Sequence, residues 1–160
     1  MTTALAAALG WAAGMRSLTP PAVLARALAD ARSPFARLAR APRQPAGILG
    51  SDAAAFWIPV AAAGEMAADK LPVAPPRTAP LGLAGRIGSG ALVGAAVAAA
   101  RRQNVILPAL VGAASAAVSS FAMMELRAAA GAHFGVPDPA VALAEDALAI
   151  GISVAAADAV

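Results

Sequence analysis

Four carboxylates and one guanidinium stand where the sequence is otherwise apolar: Glu65, Asp69, Glu145 and Asp146, with Arg16. Groups of this kind in a hydrophobic setting carry protons, bind cations, or pair with one another and hold helices together. Glu65 and Asp69 are four residues apart, which stacks them on one helix face. Glu145 lies seven residues past Asp138, roughly 10 Å along a helix that rises 1.5 Å per residue, and Asp146 adjoins it about 100° further round. Arg16 supplies the opposite charge directly before Ser17-Leu18-Thr19-Pro20-Pro21. Pro20 and Pro21 have no N–H and push the preceding residue away from helical geometry, so carbonyls near residues 15–18 lose their usual partners. The hydroxyls of Ser17 and Thr19 are placed to help satisfy such a break. Discontinuous helices line the binding sites of many secondary transporters. The candidate substrate or ion site is therefore Arg16, Ser17, Thr19, Glu65, Asp69, Glu145 and Asp146, with Pro20 and Pro21 as the helix break.

The elements that must position these residues follow from composition. Of 160 residues, 60% are hydrophobic and only 13% charged, and mean hydropathy is +0.72. Soluble domains carry about 25% charged residues, and a chain of one-domain length has too much exterior to hide this much apolar surface. Disorder needs the opposite composition. The bilayer is the solvent that remains, and a charge at its centre costs at least about 2.5–3.5 kcal/mol. The chain has 51 alanines, which insert weakly, so its spans must lean on one another.

Five segments predict an all-α, polytopic fold in one domain, residues 1–160: spans 4–28, 52–71, 86–101, 104–125 and 138–158, the first broken at its prolines. Residues 103–124 alone run uncharged past the roughly 18 needed to cross. The other segments reach that length by including charges or prolines. Asp138-Pro139 is a good helix start, an N-cap followed by proline in the first turn. Residues 29–51 read as a basic interfacial loop, with a short amphipathic piece at residues 35–40. With five crossings, Arg26, Arg32, Arg37, Arg40, Arg43, Arg101 and Arg102 collect on one side, against Lys70, Arg77, Arg86 and Arg127 on the other. Seven against four predicts the N-terminus outside and the C-terminus in the cytoplasm.

Gly90 and Gly94 form a GxxxG pair in the third span, preceded by Gly88, and predict a homodimer interface through close backbone approach. Residues 62–68 can be laid over 142–148, an echo that would make spans one and two an inverted repeat of spans four and five. The plainer roles are equally concrete. Asp69 and Lys70 end a short span and snorkel to the interface; Arg16 forms a structural pair with Glu65 or Glu145; Glu125 and Arg127 close span four at the interface. Ser119 and Ser120 bond helix to helix. His133 has no metal-ligand partner at zinc spacing, no cysteine is present, and no nucleophile, phosphate-loop or dinucleotide motif occurs. No cofactor, metal or enzymatic activity is expected. Basic residues scattered between apolar stretches, with few aromatics for stacking, argue against nucleic acid as partner.

Gly14-Met15-Arg16-Ser17-Leu18-Thr19-Pro20-Pro21, Gly64-Glu65-Met66-Ala67-Ala68-Asp69-Lys70-Leu71-Pro72 with Pro76-Arg77-Thr78-Ala79-Pro80, and Glu145-Asp146-Ala147-Leu148-Ala149-Ile150-Gly151 form one set. Together they resemble the small bacterial membrane proteins grouped as domain of unknown function 4126, over about residues 4–155. The resemblance implies a polytopic inner-membrane protein and picks out the same polar residues; it supplies no substrate. The functional expectation is a small inner-membrane transporter or channel-like protein for an ion or small solute, working through its intramembrane carboxylates. The alternative is a non-catalytic subunit of a larger membrane complex.

Overall fold

The computed structural model describes residues 1–30, 44–68 and 79–160. Among these residues the fold is all-α, with seven helices: α1 (Thr2–Met15), α2 (Thr19–Ala29), α3 (Pro45–Leu49), α4 (Asp52–Ala68), α5 (Pro80–Ala100), α6 (Ile106–Phe134) and α7 (Asp138–Asp158). Three of them, α5, α6 and α7, are long and apolar enough to cross a membrane. The expected five spans are therefore corrected to three among the described residues. At 1.5 Å per residue, α5 and α7 are about 31 Å long and α6 about 43 Å, against a hydrocarbon core of about 30 Å. Residues 4–28 are two helices rather than one broken span: α1 has 14 residues and α2 has 11. The second segment yields a 17-residue helix carrying Pro59.

The prolines do not interrupt the first helix either. α1 ends at Met15, and Pro20 and Pro21 lie in the first turn of α2, where a missing N–H removes no helical bond. Thr19, expected outside helical geometry, is the first residue of α2. The inverted repeat finds no support: one candidate half begins with two short helices and the other with a single 29-residue helix. The seven-to-four charge sorting rested on five crossings and loses that footing, and Arg86, counted among loop charges, is buried.

The distribution of side chains is that of a protein solvated by lipid. Large apolar groups face outward, among them Phe56, Trp57, Leu110, Val118, Leu126, Leu143 and Val154, while Arg16, Arg86, Glu145 and Asp146 are buried. A soluble protein shows the reverse preference. The inner stripe of α7 reads Ala142, Glu145, Asp146, Ala149, Ser153, Ala156, a helical period of small and acidic residues.

Helix α1 is packed most closely against α5 and α6. Glycine allows it: a Cβ on Gly10 or Gly90 would collide with the backbone of Gly112, and one on Gly94 with the backbone of Pro108. The close approach that Gly90 and Gly94 permit is thus used within the chain, against α6, whereas Gly88 is exposed with open space around it. Part of the expected interfacial loop is also core. Ala46 and Leu49 of α3 are buried in the apolar cluster with Leu24, Leu28, Val93 and Val97. The amphipathic piece at 35–40 lies outside the described residues.

Candidate functional site

The polar residues gather around the junction between α1 and α2, residues 16–18. Arg16 is extended (φ −139°, ψ 112°) and its N–H still closes α1 by donating to the Ala12 carbonyl at 2.9 Å. Beyond it the helical ladder stops, and Ser17 N–H, Leu18 N–H and the carbonyls of Gly14 and Ser17 find substitutes. In a continuous helix the Leu18 N–H would donate to the Gly14 carbonyl. Here Leu18 N donates to Glu65 Oε2 at 2.9 Å, and the Gly14 carbonyl accepts from Arg86 Nη1 at 3.4 Å and Ser120 Oγ at 3.3 Å. The Ser17 N–H donates to Glu65 Oε1 at 2.9 Å, and the Ser17 hydroxyl to the same oxygen at 2.5 Å. The Ser17 carbonyl would need the N–H that Pro21 lacks; it accepts instead from the Ser89 hydroxyl. Ser119 Oγ donates to the Trp11 carbonyl at 2.7 Å, one turn up α1. Backbone that is irregular inside a membrane must be satisfied by protein, and three helices, α4, α5 and α6, contribute here.

Glu65 is therefore an N-terminal cap supplied in trans: a carboxylate from α4 holding the first free amides ahead of α2, where the positive end of the helix dipole favours a negative charge. Arg16 pairs with α7. Its Nε donates to Asp146 Oδ1 at 2.5 Å, with the Arg16 side chain wholly buried. Arg16 is thus in a structural pair, with Asp146, and the pair ties the α1–α2 junction to the inner stripe of α7. Glu145, 2% exposed, has Arg127 Nη1 at 3.7 Å from Oε2, an ion-pair distance and not a hydrogen bond. Arg127 in turn grips Asp138 through both Nε and Nη2, the latter at 2.7 Å. It is half-buried rather than a bare interfacial residue.

Arg16, Arg86, Glu65 and Asp146 thus meet at the junction, and Arg127 carries the charged network on to Glu145 and Asp138. Burial of ionic groups is tolerable when opposite charges and hydrogen bonds compensate them. Thr19 is buried on α2, and its hydroxyl makes no hydrogen bond among the described residues. Asp69 lies outside the described residues. Among those described, no three His, Asp or Glu side chains form a group that could hold a metal ion.

Arg86, Ser89 and Arg127 were not among the expected site residues. A signal for Arg86 was present: it is in helical phase with Ser89, Gly90, Val93 and Val97, the buried stripe of α5, so the stripe that holds the glycines also holds the guanidinium. Nothing comparable marks Arg127, since its partners belong to another helix.

The family described as domain of unknown function (DUF4126) matches residues 3–159, and the chain belongs to it. No curated protein and no solved structure matches the chain. The matched residues include the junction and every charged side chain named around it.

Proposed function

We propose that the protein is a small transporter or channel-like protein for a proton or small cation, in the bacterial inner membrane, with the α1–α2 junction as its working element. One observation carries the reading: a junction between two helices of a membrane protein at which Arg16, Arg86, Glu65 and Asp146 converge. Fixed pairs would be retained if the resting state is closed. Protonation or cation binding at Asp146 or Glu145 removes the negative charge that holds Arg16 or Arg127, and neutralising Glu65 weakens the cap on α2. Each event loosens one contact between helices, which is how an ion can be coupled to a change of helix position. No step of covalent chemistry enters this reading, and the protein is taken as non-enzymatic.

Flux in proteoliposomes tests it, with wild type beside Glu65→Gln and Glu145→Gln and a panel of monovalent and divalent cations with and without a pH gradient. Flux lost in variants that keep their fold and oligomer size supports the proposal. A wild type that moves nothing across the panel sinks it.

The second reading, a non-catalytic subunit of a larger membrane complex, is favoured by a different observation. Both oxygens of Glu65 are occupied by backbone and hydroxyl donors of a neighbouring helix, which is what a fixed structural cap requires. In that case the protein resists dissociation from its complex in mild detergent and has no flux of its own. Homodimerisation belongs with either reading. Gly88 is the member of the glycine set left on an exposed face, and cross-linking in membranes with and without Gly88→Leu tests whether that face is shared.

A further inference from the structure

Helices α2 and α4, with Ile150 of α7, line an open groove of about 310 Å³ that the charged junction does not use. Thr19, Ala22, Val23 and Arg26 line it from α2, at spacings of three, four and seven residues, one continuous helix face. Pro59, Ala62, Ala63 and Met66 line it from α4 at the same spacings, so two matched rows about 10 Å long face each other. The alanines leave the room. The walls are hydrocarbon, and the polar groups sit at the two ends of the α2 row. Thr19, 3% exposed, is at one end with its hydroxyl unpartnered among the described residues. Arg26 is exposed at the other, and its guanidinium makes no ion pair among the described residues.

Water is a poor occupant, because an ordered water needs two to four polar partners and these walls offer one hydroxyl. The volume is at the lower end of the roughly 300–1,000 Å³ typical of ligand pockets, room for part of one hydrocarbon chain. The neighbouring surface of α4, with Phe56, Trp57 and Val60 exposed, already faces lipid. The guanidinium at the rim is the complement of a phosphate, which it can bind through two parallel hydrogen bonds. We propose that this cleft is a binding site for an anionic phospholipid of the surrounding bilayer, one acyl chain lying between α2 and α4 and the headgroup phosphate on Arg26. A lipid seated there braces α2, the helix whose start Glu65 caps, and so bears on the junction without touching its charges.

The test uses the full chain in neutral detergent, titrated with phosphatidylglycerol or phosphatidylcholine of equal chain length, with bound lipid counted by native mass spectrometry. Wild type is expected to hold one phosphatidylglycerol about fivefold more tightly than phosphatidylcholine, the preference one arginine confers near a membrane surface. Arg26→Gln is expected to abolish the preference while still binding the chain. Ala63→Leu, at an exposed position on the rim, is expected to lose both lipids. Val23→Phe, at a half-buried position, is the second filling variant should the first fail to fold, and circular dichroism reports folding for each. A folded filling variant that holds lipid as wild type does overturns the proposal, as does an unchanged preference in Arg26→Gln. Oleate bound where phosphatidylglycerol is not overturns the choice of occupant.

Discussion

Removing the Glu65 carboxylate leaves two backbone amides, Ser17 N–H and Leu18 N–H, without their acceptors. The Ser17 hydroxyl loses one too, but it can rotate to another oxygen. A buried donor left unsatisfied costs about 1–3 kcal/mol, so the two amides together set a range of about 2–6 kcal/mol. Ser17, Leu18 and Glu65 are half-buried, and partial access to water brings Glu65→Ala to the lower part of that range, about 2–4 kcal/mol. At about 1.4 kcal/mol per factor of ten, the folding equilibrium falls roughly 30- to 700-fold. Glu65→Gln keeps one acceptor oxygen for Ser17 but turns an NH₂ toward the Leu18 N–H, so about half the loss is expected. Denaturant unfolding in detergent ranks the variants, and hydrogen exchange at the amides of Ser17 and Leu18 localises the effect. The expected order of destabilisation is Ala, then Gln, then wild type, with faster exchange at those two amides before any general loosening of α5 or α6. A Glu65→Ala protein with an unchanged unfolding midpoint and unchanged exchange at residues 17 and 18 would refute the capping role.

The pair Arg16–Asp146 is expected to be strongly coupled: Arg16→Met or Asp146→Leu alone takes the paired charge from a buried group and costs up to about 3–5 kcal/mol, whereas the double variant recovers most of it. Additive single effects in the same unfolding assay would mean that the two side chains do not depend on each other. Gly112→Leu should destabilise by at least about 1–3 kcal/mol, because the helix backbones leave no space for a side chain there, while Gly88→Leu stays within about 0.5 kcal/mol. Equal midpoints for the two would contradict the close α1–α5–α6 packing. Asp138→Asn, on the exposed side of the Arg127 contact, should cost less than about 1 kcal/mol, and a larger loss would show that this bridge carries more of the α6–α7 contact than its exposure allows.

The cost of intramembrane charge makes the polar set legible before any geometry is known. Arg16, Ser17, Glu65 and Asp146 meet around one junction, and Glu145 adjoins Asp146 on the inner stripe of α7. The partners were not legible. That Arg16 meets Asp146 depends on how α7 is rotated, and two adjacent residues differ by about 100°, a difference that sequence spacing records only relative to other residues of the same helix. The number of spans failed for a related reason. Segments 4–28 and 52–71 reach spanning length only by running through Arg16 and the prolines or past residue 68, and there the chain stops being helical or leaves the described residues. The prolines signal a discontinuity in either case, but whether they end one helix or open the next depends on which neighbour accepts the orphaned carbonyls. Those neighbours, Arg86, Ser89 and Ser120, lie on helices about seventy to one hundred residues away. The GxxxG of α5 was legible as a close-packing signal and misplaced in its target, since glycine spacing says that a backbone approaches and not whose.

The central claim is that the charges at the α1–α2 junction do work beyond holding helices together. The double variant Arg16→Met/Asp146→Leu tests it most directly, because it removes both charges of the buried pair while leaving two apolar side chains to fill the space. Proton and cation flux would be measured in proteoliposomes beside wild type, with unfolding midpoints recorded on the same preparations. Flux in wild type, and none above empty vesicles in a double variant of near wild-type stability, is the predicted result. A double variant that is equally stable and transports at the wild-type rate would contradict it.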